Sequence, residues 1–184
     1  GTVVGNARNV AHGQIPAQPH SGGLAVGTNP GSPLPSGTNI SLETAVGTTL
    51  PSPVNGFNFS FQHWYHLNTS SNTNGDGDGA WVEYKLDSGN WTYLEPNGGY
   101  PHTISNNSST PNGVNTSGFG VYGDGNHSGW STALFNLDNL TGIQNATDIQ
   151  FRFLVWTDSN STSRPGWFID DIELNNVGNS SGFW

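Results

Sequence analysis

The chain has 184 residues, enough for one packed domain with an extended arm and too few for two full sandwiches. Four Lys and Arg against 13 Asp and Glu give a formal charge of −9, which leaves no basic stripe for nucleic acid or an anionic membrane surface. Cysteine is absent, so neither disulfides nor thiolate metal sites hold this fold, and no apolar run approaches the ~20 residues that cross a bilayer.

Residues 1–38 read as an extended Gly/Pro-rich arm. Proline removes ladder donors and fixes its own torsion, and Pro16, Pro19, Pro30, Pro33 and Pro35 fall here, with Pro51 and Pro53 soon after. The β-prone exception is Thr2-Val3-Val4. An extended segment of this kind suits addition to a neighbour's open sheet edge, which makes Thr2, Val3 and Val4 candidate assembly residues. Head-to-tail addition does not close on itself and yields a filament.

From residue 39 to residue 184 the pattern predicts a β-sandwich domain. Ile40, Leu42, Thr44 and Val46 alternate with polar positions. Phe57, Phe59, Phe61, His63, Tyr65 and Leu67 then form the strongest signal, a period of two that marks a long half-buried strand. Ala80, Val82, Tyr84 and Leu86 alternate in the next strand, and Asp87-Ser88-Gly89-Asn90 turns it into Trp91-Thr92-Tyr93-Leu94. Further strands are predicted at 119–122, 131–137, 149–156 and 167–174. No segment shows helical periodicity with caps, so the expected fold is an all-β antiparallel sandwich, a jelly roll.

Catalytic constellations are missing from the sequence. It holds no His-Glu-x-x-His, no nucleophile elbow and no cysteine nucleophile. Gly118, Gly120 and Gly123 match a dinucleotide fingerprint, but no helix follows, and the glycines read as turn or packing residues. The six histidines are too scattered for a transition-metal site, and His63 occupies the apolar phase of its strand.

The loop 72–79 carries Asp76 and Asp78 on a Gly-rich backbone, which suits Ca²⁺ or, equally, a solvated Asn/Gly/Asp turn. Its spacing to Glu83 fits an EF-hand loop, but strands rather than helices flank it. Trp64, Trp81 and Trp156 lie on the strand faces opposite the main apolar rows. They form either a sugar-stacking platform or a second buried layer.

Twelve Asn occupy Asn-x-Ser/Thr sequons: Asn39, Asn58, Asn68, Asn90, Asn106, Asn107, Asn115, Asn126, Asn139, Asn145, Asn160 and Asn179. Random placement of this composition gives roughly 5. The excess points to a glycosylated extracellular surface, and the missing cysteines to a prokaryotic one, archaeal rather than bacterial. The start at Gly1 reads as a mature or excised segment.

Several segments in order resemble the MAM-type jelly-roll modules of secreted bacterial and archaeal proteins, including those attached to immune-inhibitor-A-like metallopeptidases. They are His20-Ser21-Gly22 with 25–29, 59–65, 78–84, Gly99-Tyr100-Pro101, Ser128-Gly129-Trp130, 149–153, and Gly166-Trp167-Phe168-Ile169-Asp170-Asp171-Ile172. The resemblance implies a β-sandwich, often with a bound calcium ion, used for adhesion or carbohydrate contact. It places the Asp78 loop and the pair Asp170 and Asp171 where such an ion sits. Consecutive strand residues point to opposite faces, so only one of that pair faces an ion unless a bulge intervenes.

Two functions follow as expectations. One is a non-catalytic extracellular structural or adhesive subunit, stabilised by calcium and glycosylated, whose partners are other copies in a filament. The other is a carbohydrate-binding module excised from a larger secreted hydrolase, with Trp64, Trp81 and Trp156 contacting glycans.

Overall fold

Strict alternation along the strands is met by burial on the face it predicts. In a computed structural model, residues 2–5, 19–28, 33–44, 47–67, 77–104, 119–123, 129–158, 164–176 and 179–182 are described. Two antiparallel sheets pack face to face as a sandwich. The first runs in the order β1 (Thr2–Gly5), β2 (Leu24–Gly27), β12 (Gly166–Asn176), β5 (Phe57–His66) and β10 (Ser131–Asn136), with β13 (Asn179–Gly182) beside the far half of β12. In the second, β3 (Asn39–Glu43) and β4 (Thr48–Thr49) flank β11 (Asp148–Trp156), followed by β6 (Gly79–Leu86) and β7 (Thr92–Leu94). A ribbon of β8 (His102–Ile104) and β9 (Phe119–Val121) joins β6 through a bridge between Tyr122 and Ala80.

The inward rows of β5 and β11 meet at the centre. Phe59 stacks on Phe151 with 3.7 Å between centroids and 3° between planes, and Phe61 meets Phe153 edge-on at 5.2 Å. Offset and edge-on aromatic pairs add about 0.5–1.5 kcal/mol each beyond the area they bury. The chain crosses directly between the two sheets five times, so this core is assembled from contacts distant in sequence.

The outer faces are covered as well. Trp81, Leu154 and Trp156 leave the second sheet on its outer side and bury against Ile104 and Val121 of the ribbon. On the outer side of the first sheet Trp64 packs edge-on against Phe168 at 5.7 Å. Farther along the second sheet the outer face is ionic. Arg152 Nε donates to Glu83 Oε2 at 3.1 Å, Trp81 Nε1 donates to Glu83 Oε1 at 3.1 Å, and Arg152 and Lys85 hold their charges over Trp91 at 4.5 and 4.7 Å.

The stretch read as an arm reaches into the sandwich. Both β1 and β2 lie within residues 1–38, Leu34 is buried in the core, and its N–H donates to the Arg164 carbonyl at 2.8 Å. The domain therefore begins before residue 39. At four residues, β2 is too short to register as an alternating pattern. The predicted hairpin forms: Gly89 N–H donates to the Leu86 carbonyl at 2.9 Å, and Asp87 takes a left-handed φ of 49°. The carboxylate of Asp87 then accepts from Thr147 N–H at 2.9 Å and Asp148 N–H at 3.0 Å, fastening this turn to the start of β11.

His63 sits on the apolar row, as its phase predicted. Its Nδ1 accepts from Trp167 Nε1 at 3.3 Å, and the rings of Tyr122 and Tyr65 lie 4.5 and 5.0 Å away. Burial disfavours the imidazolium and lowers the pKa from 6.5 to about 3. Between those values the unfolded chain binds a proton that the folded chain does not, so stability falls as the pH drops through this window. From pH 7 to pH 4.5 the loss due to His63 is about 2–3 kcal/mol. Urea midpoints at both pH values should show His63→Gln less pH-sensitive than the wild type by that amount. Equal pH dependence in the two proteins would mean that His63 is not held neutral.

Candidate functional site

The site forms where β12 breaks its own alternation. Asp170 pairs with Gln62 of β5 and Glu173 pairs with Ser60, so β12 carries one residue more than its partner across this interval. The extra residue is a β-bulge, and Asp171 adopts φ 45° there. Trp167 and Ile169 before the bulge and Ile172 and Leu174 after it are all buried, which a strand of unbroken phase could not achieve. Asp170 and Asp171, which an unbroken strand would point to opposite faces, both reach the segment entering β2.

That segment supplies donors. Ser21 N–H donates to Asp170 Oδ2 at 3.1 Å, the Ser21 hydroxyl donates to Asp171 Oδ1, and His20 Nδ1 meets Asp171 Oδ2 at 2.6 Å. Asp171 N–H donates to Asp170 Oδ1 at 2.9 Å, and the His20 ring stands edge-on to Trp130 at 6.1 Å. Partial burial alone would raise the Asp171 pKa, but the hydrogen bonds from Ser21 and His20, with the charge of His20, bring it below the ordinary value. The arrangement is a clasp that fixes the start of β2 to the centre of β12.

A calcium ion needs six to eight oxygen ligands converging on one point. Here each oxygen of the pair already faces an N–H or O–H donor or the His20 ring, so this set does not fit such an ion. Asp78 is not brought to the pair. It is buried where β6 begins and accepts from the backbone N–H of Asp158, itself buried, at 3.1 Å. Asp76 lies outside the described residues. Among the described residues no group of three or more His, Asp or Glu side chains is arranged to hold a metal.

The sugar platform is corrected by burial: Trp64, Trp81 and Trp156 are 2%, 0% and 4% exposed, and none offers a ring face to solvent. They form the second buried layer instead. Trp91, which the sequence pattern placed in the strand after the hairpin, precedes β7 and stays partly exposed. Thr2, Val3 and Val4 lie in β1, antiparallel to β2 with Cα partners Gly27, Val26 and Ala25. Of the sequons, Asn39, Asn90, Asn139 and Asn145 are exposed, and Asn58 is half-buried within β5. Asn179 opens β13, while Asn68, Asn106, Asn107, Asn115, Asn126 and Asn160 lie outside the described residues.

Asp171→Ala removes the clasp and places a Cβ-bearing residue without a compensating carboxylate in the left-handed region. The expected destabilisation is about 2–4 kcal/mol by urea unfolding. Because donors rather than an ion satisfy the carboxylates, the same shift is expected in calcium and in excess chelator. A loss seen only with calcium present would show that the pair is a cation site.

No model of a known protein family matches the chain, and the curated proteins yield no match, so the resemblance to MAM-type modules rests on the residues that carry it.

Proposed function

We propose that this protein is a non-catalytic extracellular subunit of jelly-roll type that joins copies of itself by exchanging β1 between neighbouring sheets. The strand orders β2-β12-β5-β10 and β3-β11-β6-β7, with the chain alternating between them, support the jelly-roll reading. The observation that carries the exchange is that, among the described residues, β1 pairs with β2 alone, four residues at the outermost position of its sheet. Every hydrogen bond that β1 makes to its own β2 is available, unchanged, to the β1 of a neighbour. Each copy then donates one strand and accepts one, and the chain of subunits stays open.

Two further features favour this edge. The clasp of His20, Ser21, Asp170 and Asp171 holds β2 in place and leaves β1 outside it, so the accepting edge persists when β1 departs. Next to β2 an apolar crevice opens between the sheets, lined by Val26, Ile40, Leu42, Phe153 and Ile169. The non-catalytic part of the reading rests on the sequence, which holds no His-Glu-x-x-His, no nucleophile elbow and no cysteine nucleophile.

The absence of native cysteine gives a direct test. Val3 and Val26 are Cα partners, so Val3→Cys with Val26→Cys places two thiols across the β1–β2 pair. Oxidation at high protein concentration should give a ladder of covalent oligomers on a non-reducing gel. A single fast-migrating monomer at every concentration would mean that β1 stays on its own sheet.

A further inference from the structure

The remaining sheet edges carry a different signal. Outside the β1–β2 edge, the second sheet ends in β3 on one side and β7 on the other, and the first sheet ends in β10. The outer strands β3 and β7 present backbone that a neighbouring strand can join, while along β10 the Leu134 carbonyl accepts from Asn97 N–H at 2.8 Å and Asn136 N–H donates to Asn97 Oδ1 at 3.1 Å. Asn39 is the first residue of β3, Asn90 lies two residues before β7, and Asn139 lies three residues after β10. All three are exposed, as are the hydroxyl residues that complete their sequons, Ser41, Thr92 and Thr141. No side-chain hydrogen bond among the described residues engages the three amides.

The other described sequons differ. Asn58 lies in β5 between two paired strands, and its Nδ2 donates to the Gly56 carbonyl at 3.3 Å. Asn145 is exposed, but its sequon Thr147 is held to the Asp87 carboxylate of a distant turn through both its hydroxyl at 2.7 Å and its N–H at 2.9 Å, whereas the Thr92 hydroxyl donates within its own sequon, to the Asn90 carbonyl at 3.4 Å. Asn179 opens β13, beyond the bulge from β2. Residues 1–38, which include β1 and β2, contain Asn6, Asn9 and Asn29 and no sequon. The two large apolar side chains most exposed follow the same division: Leu134, at 42%, lies on β10 near Asn139, and Leu24, at 59%, on the sequon-free β2.

We infer that Asn39, Asn90 and Asn139 carry N-linked glycans that hinder pairing at the edges of β3, β7 and β10, while the β1–β2 edge carries none. The inference rests on the strand-exchange reading for what the open edge does; glycan attachment at these sites does not depend on it. Attachment is glycosyl transfer from a lipid-linked oligosaccharide. The Asn Nδ2 bonds to the anomeric carbon, the bond from that carbon to the lipid phosphate breaks, and the amide releases a proton. A bulky solvated chain at the end of a strand keeps a second strand from lying along it.

Glycopeptide mass spectrometry of the protein recovered from the cells that make it should find glycan on Asn39, Asn90 and Asn139 and none on Asn58. Bare amides at those three sites overturn the inference, whatever the cysteine cross-link shows. The triple variant N39Q/N90Q/N139Q, made in the same cells and checked by its unfolding midpoint, tests the guarding role. Light scattering should show disordered aggregates at several-fold lower concentration than for the wild type, with the cross-linked ladder still forming in the Val3→Cys, Val26→Cys background. Unchanged scattering with the glycans gone would mean that they do not guard the edges.

Discussion

The structure turns on one extra residue in β12. An eleven-residue strand that kept perfect alternation would bury Trp167 and Ile169 and then direct Ile172 and Leu174 to the wrong face. Inserting one residue at the Asp170–Asp171 step restores the apolar row, and both halves of β12 stay in the core and on the ladder with β5. The local cost is a non-glycine residue at φ 45°, and the carboxylate of that residue is what Ser21 and His20 bind. The same bulge also divides the outer flank of β12, with β2 along its first half and β13 along its second. Core phase, clasp and the geometry of the chain ends therefore share one cause.

Around that strand the protein compensates for the lack of disulfides by burying aromatic side chains on three levels. The central layer between the sheets is the largest, and the ribbon adds a second over Trp81 and Trp156. A third lies where Trp64 meets Phe168 on the opposite side. Burying a large apolar side chain is worth about 1.5–3 kcal/mol. Few charges enter these layers. Glu83 is buried with Arg152 on one oxygen and Trp81 on the other, so removal of either partner leaves an unmet charge that costs more than the pair contributes.

Much of this was legible in the sequence, and the illegible parts have physical reasons. The long strands β5, β6, β11 and β12 announce themselves because their side chains must alternate between a core and another surface. Strand β2 does not, since four residues with Leu24 exposed hold too few turns of the pattern. The bulge was present in the sequence as a change of phase between Ile169 and Ile172, but it reads as one only once both flanking halves are known to be buried. The rows of Trp64, Trp81 and Trp156 were recognisable as a second face. Whether that face meets sugar or protein depends on β8, β9 and Phe168, which are distant in sequence, and no local pattern distinguishes the two.

Strand exchange at β2, as proposed, would have a consequence for how assembly is controlled. The hydrogen bonds of β1 are the same in the closed and exchanged forms, so they cancel in the comparison and cannot favour either. What remains is the effective concentration of β1 at its own β2 against the concentration of neighbouring subunits. Dilute subunits therefore stay closed. Crowding of copies at a surface, or any added contact between neighbours, tips the balance. Leu24 lies on β2 itself and is exposed, two residues from Val26 of the apolar crevice, so a second subunit docked there would cover it. In such a joint the pairing of β1 would set the geometry, and the apolar surface beside it would set whether the joint forms.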